Sequence, residues 1–151
     1  MPMTERQREW RREHVGCSDL PAILGLDERR TDYDVWLDKT DQLHEDRDTS
    51  EAAEIGNMVE TALVDWAADE TGLTVRKNQY RVHSGGVLSA THDALAIGDP
   101  AGIEAKSSGI TSPFGPHETW GEDGTDEVPE RVLVQTQGQM LVSGLTRVYV
   151  P

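Results

Sequence analysis

Residues 91–106 read Thr91-His92-Asp93-Ala94-Leu95-Ala96-Ile97-Gly98-Asp99-Pro100-Ala101-Gly102-Ile103-Glu104-Ala105-Lys106. Gly98-Asp99 is a turn signal between two apolar runs. With those two residues as the loop of a hairpin, Ile97 pairs with Pro100, Ala96 with Ala101 and Asp93 with Glu104. Directly opposed residues on antiparallel strands project from one face. Lys106, two residues beyond Glu104, shares that face. One short hairpin therefore gathers two carboxylates and an ammonium. Like charges opposed across a ladder destabilise it unless something compensates them. A hard divalent cation such as Mg²⁺ is the natural compensation. A lysine beside such an ion can orient or deprotonate a water, the arrangement expected of metal-dependent phosphodiester hydrolysis.

Spacing alone does not decide for this chemistry. The chain has 28 acids and three lysines, Lys39, Lys77 and Lys106. Random placement gives about 0.6 acid-x-lysine triplets in such a chain. On these residues alone, a solvated Glu104–Lys106 ion pair on a surface hairpin is the favoured reading, since surface ion pairs are common.

Composition narrows the class. A chain of 151 residues suits one domain with a modest core. No run of 18 apolar residues exists and the N-terminus lacks an apolar signal region, so a cytoplasmic protein is expected, in the host cytoplasm if viral. The single cysteine, Cys17, excludes a disulfide framework, a four-cysteine zinc site and a four-cysteine iron–sulfur cluster built within this chain. The net charge is −14, and arginine outnumbers lysine eleven to three. Such a surface suits a salt-loaded cytoplasm, where self-repulsion is screened over about 3 Å at 1 M salt, and a halophilic host is expected. It argues against diffuse electrostatic attraction to DNA. Arg6, Arg8, Arg11 and Arg12 nonetheless cluster near the start, where they form either a local basic patch or an ordinary solvated helix face.

Periodicity and breakers give the element order. Thr4 to Glu13 reads as a helix. Gly16-Cys17-Ser18-Asp19 reads as a turn, with Ser18 or Asp19 capping a helix to Leu24. Thr31-Asp32 caps a third helix to Lys39. Residues 41–49 are a polar linker. Ser50 caps the longest helix, to Thr71, whose apolar stripe is Ile55, Met58, Val59, Ala62, Leu63 and Trp66. Strands follow at Leu73–His83, Val87–Ile97 and Gly102–Ser107. A polar loop spans 108–127, and Pro129 opens a helix to Ser143 that Gly144 ends. Thr146–Val150 is the last strand. From residue 50 the order is helix-strand-strand-strand-helix-strand, an α/β fold with a mixed central sheet flanked by helices. An uncovered terminal strand is an odd place to stop, so the chain, a single domain over 1–151, is expected to be truncated at its C-terminus.

An acid on the first long helix, Asp on the second strand and Glu-x-Lys on the third resemble the PD-(D/E)xK nuclease superfamily and its restriction-endonuclease-like core. Further stretches are similar to the YqaJ-like viral recombinases, relatives of lambda exonuclease. They are Gly16-Cys17-Ser18-Asp19-Leu20-Pro21-Ala22-Ile23-Leu24-Gly25-Leu26, Thr31 to Lys39 with Val35-Trp36-Leu37, Glu54 to Glu60, Trp120-Gly121, Val128-Pro129, Gln135-Thr136-Gln137-Gly138-Gln139-Met140 and Gly144. They run in the family's order over residues 10 to 144. This chain has His92 where the family's proline precedes the catalytic Asp, and Ala94 where a glycine often follows it.

The resemblance implies roles residue by residue. Asp93 and Glu104 bind Mg²⁺ (or Mn²⁺) with the backbone carbonyl of Ala105. Glu60 reaches the metal directly or through water. Lys106 positions the attacking water. Gln135 holds that water or the scissile phosphate, while Gln139 reads as a polar residue on the helix surface. Arg11 and Ser18 resemble a pocket for a terminal 5′-phosphate, suited by the guanidinium's planar fork of donors. Cys17 reads as a small core or turn residue and Trp10, Trp36 and Trp66 as core. Trp120 reads as a packing residue. Of the five histidines only His92 lies near the site.

The implied function is a Mg²⁺-dependent exonuclease of the phage recombination type acting on double-stranded DNA ends, 5′→3′. It could work with a single-strand annealing protein or as a homo-oligomer, away from any membrane. Two alternatives stand beside it. One is a CRISPR- or repair-associated nuclease; the other is a non-catalytic acidic binding protein that keeps the nuclease fold.

Overall fold

The computed structural model describes residues 5–40, 42, 51–106 and 120–151. Helix α1 (Glu5–Glu13) leads into a two-residue strand β1 (Val15–Gly16), a single 3₁₀ turn (Cys17–Asp19), and helices α2 (Leu20–Ile23) and α3 (Asp32–Lys39). The long helix α4 (Glu51–Thr71) precedes strands β2 (Val75–Val82), β3 (Leu88–Ala96) and β4 (Ala101–Ile103), then helix α5 (Glu130–Ser143) and strand β5 (Arg147–Tyr149). Helices thus flank a mixed sheet, as the sequence led us to expect. Two expected features, the Ser50 cap and most of the linker at 41–49, lie outside the described residues, as does the loop from 108 to 119. Among the described residues no helix is long and apolar enough to cross a membrane.

Strand β3 is the hub of the sheet. Along one edge it takes β2, antiparallel, from Val75↔Ala96 to Val82↔Ser89. Its other edge is shared by two neighbours. β1 lies parallel to its start, with Val15 opposite Leu88 and Gly16 opposite Ser89. β4 lies antiparallel to its end, with Ala94 opposite Ile103 and Leu95 opposite Gly102. β5 then runs parallel to β4. The β3–β4 register is the one the Gly98-Asp99 turn dictated, and Gly98 takes the left-handed φ of +79° that such a turn requires. β1 is too short to show any alternation in sequence, and of its two residues Gly16 read as the start of a turn.

The sheet is interrupted on both sides of Asp93. On the β2 side the pairing passes from Lys77↔Ala94 to Gln79↔His92, and Asn78 between them has φ +53°. On the β4 side the ladder ends at Ile103, short of the expected strand end, Ser107, which itself lies outside the described residues. The Ala105 N–H, which would continue the ladder, instead donates to Asp93 Oδ2 at 2.8 Å.

The core between helix α4 and the sheet is built from Val64, Ala67, Ala94 and Ile103. This corrects the expected stripe of α4. Ile55, Met58, Val59 and Trp66 are exposed, Met58 by 69% and Trp66 by 55%. The face of α4 that meets Ala94 and Ile103 of the sheet is instead the one carrying Val64 and Ala67. Trp36 also lies outside the core, 49% exposed and stacked on Tyr33 at 5.7 Å, while Val35 beside it is buried. Trp10 does pack inward, stacked on Tyr80 of β2 at 4.7 Å.

Helix α5 docks on the N-terminal segment through a glycine. A Cβ at Gly138 would lie 2.6 Å from Leu20 Cδ1 and 3.1 Å from Cys17 Sγ. Helix propensity would favour most residues over glycine here by up to about 1 kcal/mol, but overpacking costs about 1–3 kcal/mol. Gly138→Val is therefore expected to destabilise the protein. A urea midpoint at or above that of the parent would refute the close packing.

Asp19 organises the N-terminal segment, and not by capping α2. No cap bond from its side chain is formed at α2. Its fully buried carboxylate accepts from Gly16 N at 2.9 Å, Arg30 Nη1 at 2.6 Å and Lys39 Nζ at 2.8 Å. Arg30 also meets Asp38 at 2.9 Å, and Lys39 donates to the Arg11 carbonyl at 2.6 Å. Burial pushes the Asp19 pKa up, but Lys39, the Gly16 N–H and Arg30 together hold it below the usual carboxylate value.

Candidate active site

Three elements supply the site: the interrupted middle of β3, the end of β4, and one face of α5. The observed register, extended by one pair, sets Asp93 opposite Glu104, so the two carboxylates share a face. Glu104 is 4% exposed. Its Oε1 accepts from Lys106 Nζ at 2.8 Å and from Gln135 Nε2 at 2.5 Å. Its Oε2 accepts from Gln139 Nε2 at 2.6 Å. Lys106 Nζ also donates to Gln135 Oε1 at 3.1 Å, closing a ring of Glu104, Lys106 and Gln135.

Burial pushes the Asp93 pKa up to about 7, helped by the negative charges of Glu104 and Glu60. The Ala105 N–H and the Lys106 ammonium act in the opposite direction and do not cancel it. A carboxylate in this condition suits a cation, which would remove the repulsion that a proton otherwise relieves. Among the described residues no three His, Cys, Asp or Glu side chains come together as a ready-made cation cage. Glu60, on α4, acts on Asp93 as a charge. Ala105 contributes its N–H to Asp93.

Gln139 is the residue that sequence reasoning missed. It was expected on the helix surface, yet it is 1% exposed and bound to Glu104. The spacing of four from Gln135 was a usable signal, because residues i and i+4 share a helix face.

The N-terminal turn reaches the site from below. Cys17 is buried against Gly138, and its thiol pKa is pushed up to about 12 by burial, then by the charges of Glu104 and Asp19. It is a neutral packing group, as expected. Ser18 beside it is exposed. Arg11 lies in the last turn of α1, and its carbonyl is tied through Lys39 to Asp19, the neighbour of Ser18. His92, in the place of the family's proline, is 1% exposed and hydrogen-bonds Ser143 on α5 through Nε2 at 2.7 Å. Burial, and then the Arg81 charge, push its pKa down to about 4, so it is a neutral strut between β3 and α5. Trp120 lines an open cavity of about 220 Å³ together with Lys106, Val150 and Pro151.

Comparison with known proteins bears on what this arrangement is. The model of the YqaJ-like viral recombinase domain matches residues 8–146. The YqaJ protein of Bacillus subtilis (strain 168) is 34% identical over 141 residues, which are 90% of this chain and 42% of that protein. This chain therefore spans about two fifths of that relative. The crystal structure of the alkaline exonuclease LHK-Exo from Laribacter hongkongensis superposes with a TM-score of 0.67 at 19% identity, over 97% of this chain and 74% of that one. That likeness is one of fold.

Proposed function

Because this chain belongs to the YqaJ-like viral recombinase family, we propose that it is a metal-dependent DNA nuclease of the phage recombination type, an exonuclease digesting duplex ends 5′→3′. The observation that supports this best is the ring of Glu104, Lys106 and Gln135 beside the half-buried, charge-repelled Asp93.

Asp93 and Glu104, with the Ala105 carbonyl, would hold Mg²⁺ or Mn²⁺, and Glu60 would act through water. Such an ion, when bound, polarises the scissile phosphate and lowers the pKa of a bound water. The chain's own residues hold and orient. An ammonium has three N–H donors. Two of them are directed at Glu104 and Gln135, and we assign the third to the attacking water. Gln135 fixes the height of Lys106 above the sheet. The Ala105 N–H keeps Asp93 turned toward Glu104.

The test is digestion of a linear 5′-phosphorylated duplex in high salt, with and without Mg²⁺ or Mn²⁺. Release of nucleotides only in the presence of the ion is expected. Intact DNA under both conditions would overturn the reading.

We further assign Arg11 and Ser18 to the terminal phosphate. A charge-assisted contact is worth about 1.5–3 kcal/mol. The protein should therefore prefer 5′-phosphorylated over 5′-hydroxyl ends by roughly ten- to hundredfold, and Arg11→Ala should erase the preference. Equal rates on both ends in the parent protein would leave the N-terminal arginines as a solvated helix face.

A further inference from the structure

Gln139 donates to two acceptors, Glu104 Oε2 at 2.6 Å and the Thr91 carbonyl at 3.4 Å. Its own Oε1 is buried without a hydrogen-bond partner. Buried side-chain amides normally satisfy both ends. Here the amide cannot be turned over to satisfy the oxygen, because that would set Oε1 against a carboxylate oxygen. The side chain is thus held with one donor on Glu104 and the other toward the Thr91 carbonyl, at the cost of an unmet acceptor. Packing alone does not account for this, since an apolar side chain would fill the space with no orphan atom.

The consequence falls on Glu104. Gln135 and Lys106 both bind Oε1, and Gln139 alone of these three binds Oε2. Without Gln139 the carboxylate is fixed at one oxygen and free to turn about it. We propose that Gln139 is a positioning residue which locks the rotation of the Glu104 carboxylate and thereby sets the affinity of the site for its divalent cation. This rests on the metal-dependent reading of Asp93 and Glu104 given above. Partners that orient a metal-ligating carboxylate typically change metal affinity by about 10- to 100-fold when removed.

The experiment is calorimetric titration of Mn²⁺ into the parent chain and into Gln139→Met, which keeps the length and removes the donors. Thermal melting of both metal-free proteins accompanies it. The expected result is about 10- to 100-fold weaker Mn²⁺ binding by a folded variant. Parent-like affinity in the folded variant, whatever its melting temperature, would mean that Gln139 is a packing residue and would overturn the proposal. Should Gln139→Met not fold, Gln139→Asn takes its place, since it keeps an amide but withdraws it by one methylene, and the same loss is expected. A parent chain that binds no Mn²⁺ would instead overturn the metal-dependent reading itself and the proposal with it.

Discussion

Asp93→Asn is expected to lower DNA cleavage by at least about a thousandfold while making the metal-free protein more stable at neutral and alkaline pH. The amide keeps an oxygen for the Ala105 N–H and removes the charge that Glu104 and Glu60 repel. The sign of the pH effect follows from the raised pKa. An unfolded aspartate titrates near about 3.9, and the folded one at about 7. Between those values the folded state binds the extra proton, so stability falls as pH rises. Below about pH 4 both states are protonated and the difference vanishes. The advantage of Asp93→Asn should therefore be absent near pH 4, grow between pH 4 and 7, and be complete above it. Lys106→Ala should match the loss of cleavage without the gain in stability. Cleavage rates together with melting temperatures across this range check both statements. Parent-like activity in either variant would refute the assigned roles.

The largest effect on stability is expected at Asp19. Asp19→Ala leaves Arg30 and Lys39 facing each other with one partner gone and the Gly16 N–H unmatched. Removing one member of a buried ion cluster costs about 3–5 kcal/mol. Arg30 and Lys39 are 22% and 14% exposed, so partial rehydration should place the cost toward the lower end of that range. A domain holds only about 5–15 kcal/mol in all, so the variant should sit close to unfolding. Denaturant titration measures this directly. A midpoint within error of the parent would show that the cluster is well enough solvated to contribute little.

The hairpin was legible because a Gly-Asp turn fixes register and register fixes which side chains share a face. The position of Gln135 was legible only through the ordered family pattern, since no single-residue property separates it from Gln137 or Gln139. The spacing of four placed Gln139 on the face of Gln135, but neither its contact with Glu104 nor the ion cluster at Asp19 was legible. Each depends on contacts between segments more than ten residues apart, and sequence spacing reports only neighbours on the same element. The stripe on α4 failed for a different reason. Periodicity identifies an apolar face but not what covers it. Here the sheet presents Ala94 and Ile103, and the helix turns Val64 and Ala67 toward them. The ladder gave way at Ala105 because a carboxylate competed with a backbone carbonyl for one N–H, and strand propensity carries no information about that competition.

That same N–H offers a way to watch the site from the backbone. An amide that donates to a carboxylate responds to the charge on it far more than one that donates to a peptide carbonyl, because the bond is strengthened when the acceptor is ionised. The nitrogen resonance of Ala105 is thus a built-in indicator of the charge on Asp93. Its chemical shift follows proton release without any label in the site, and it reports occupancy in a protein that need not turn over.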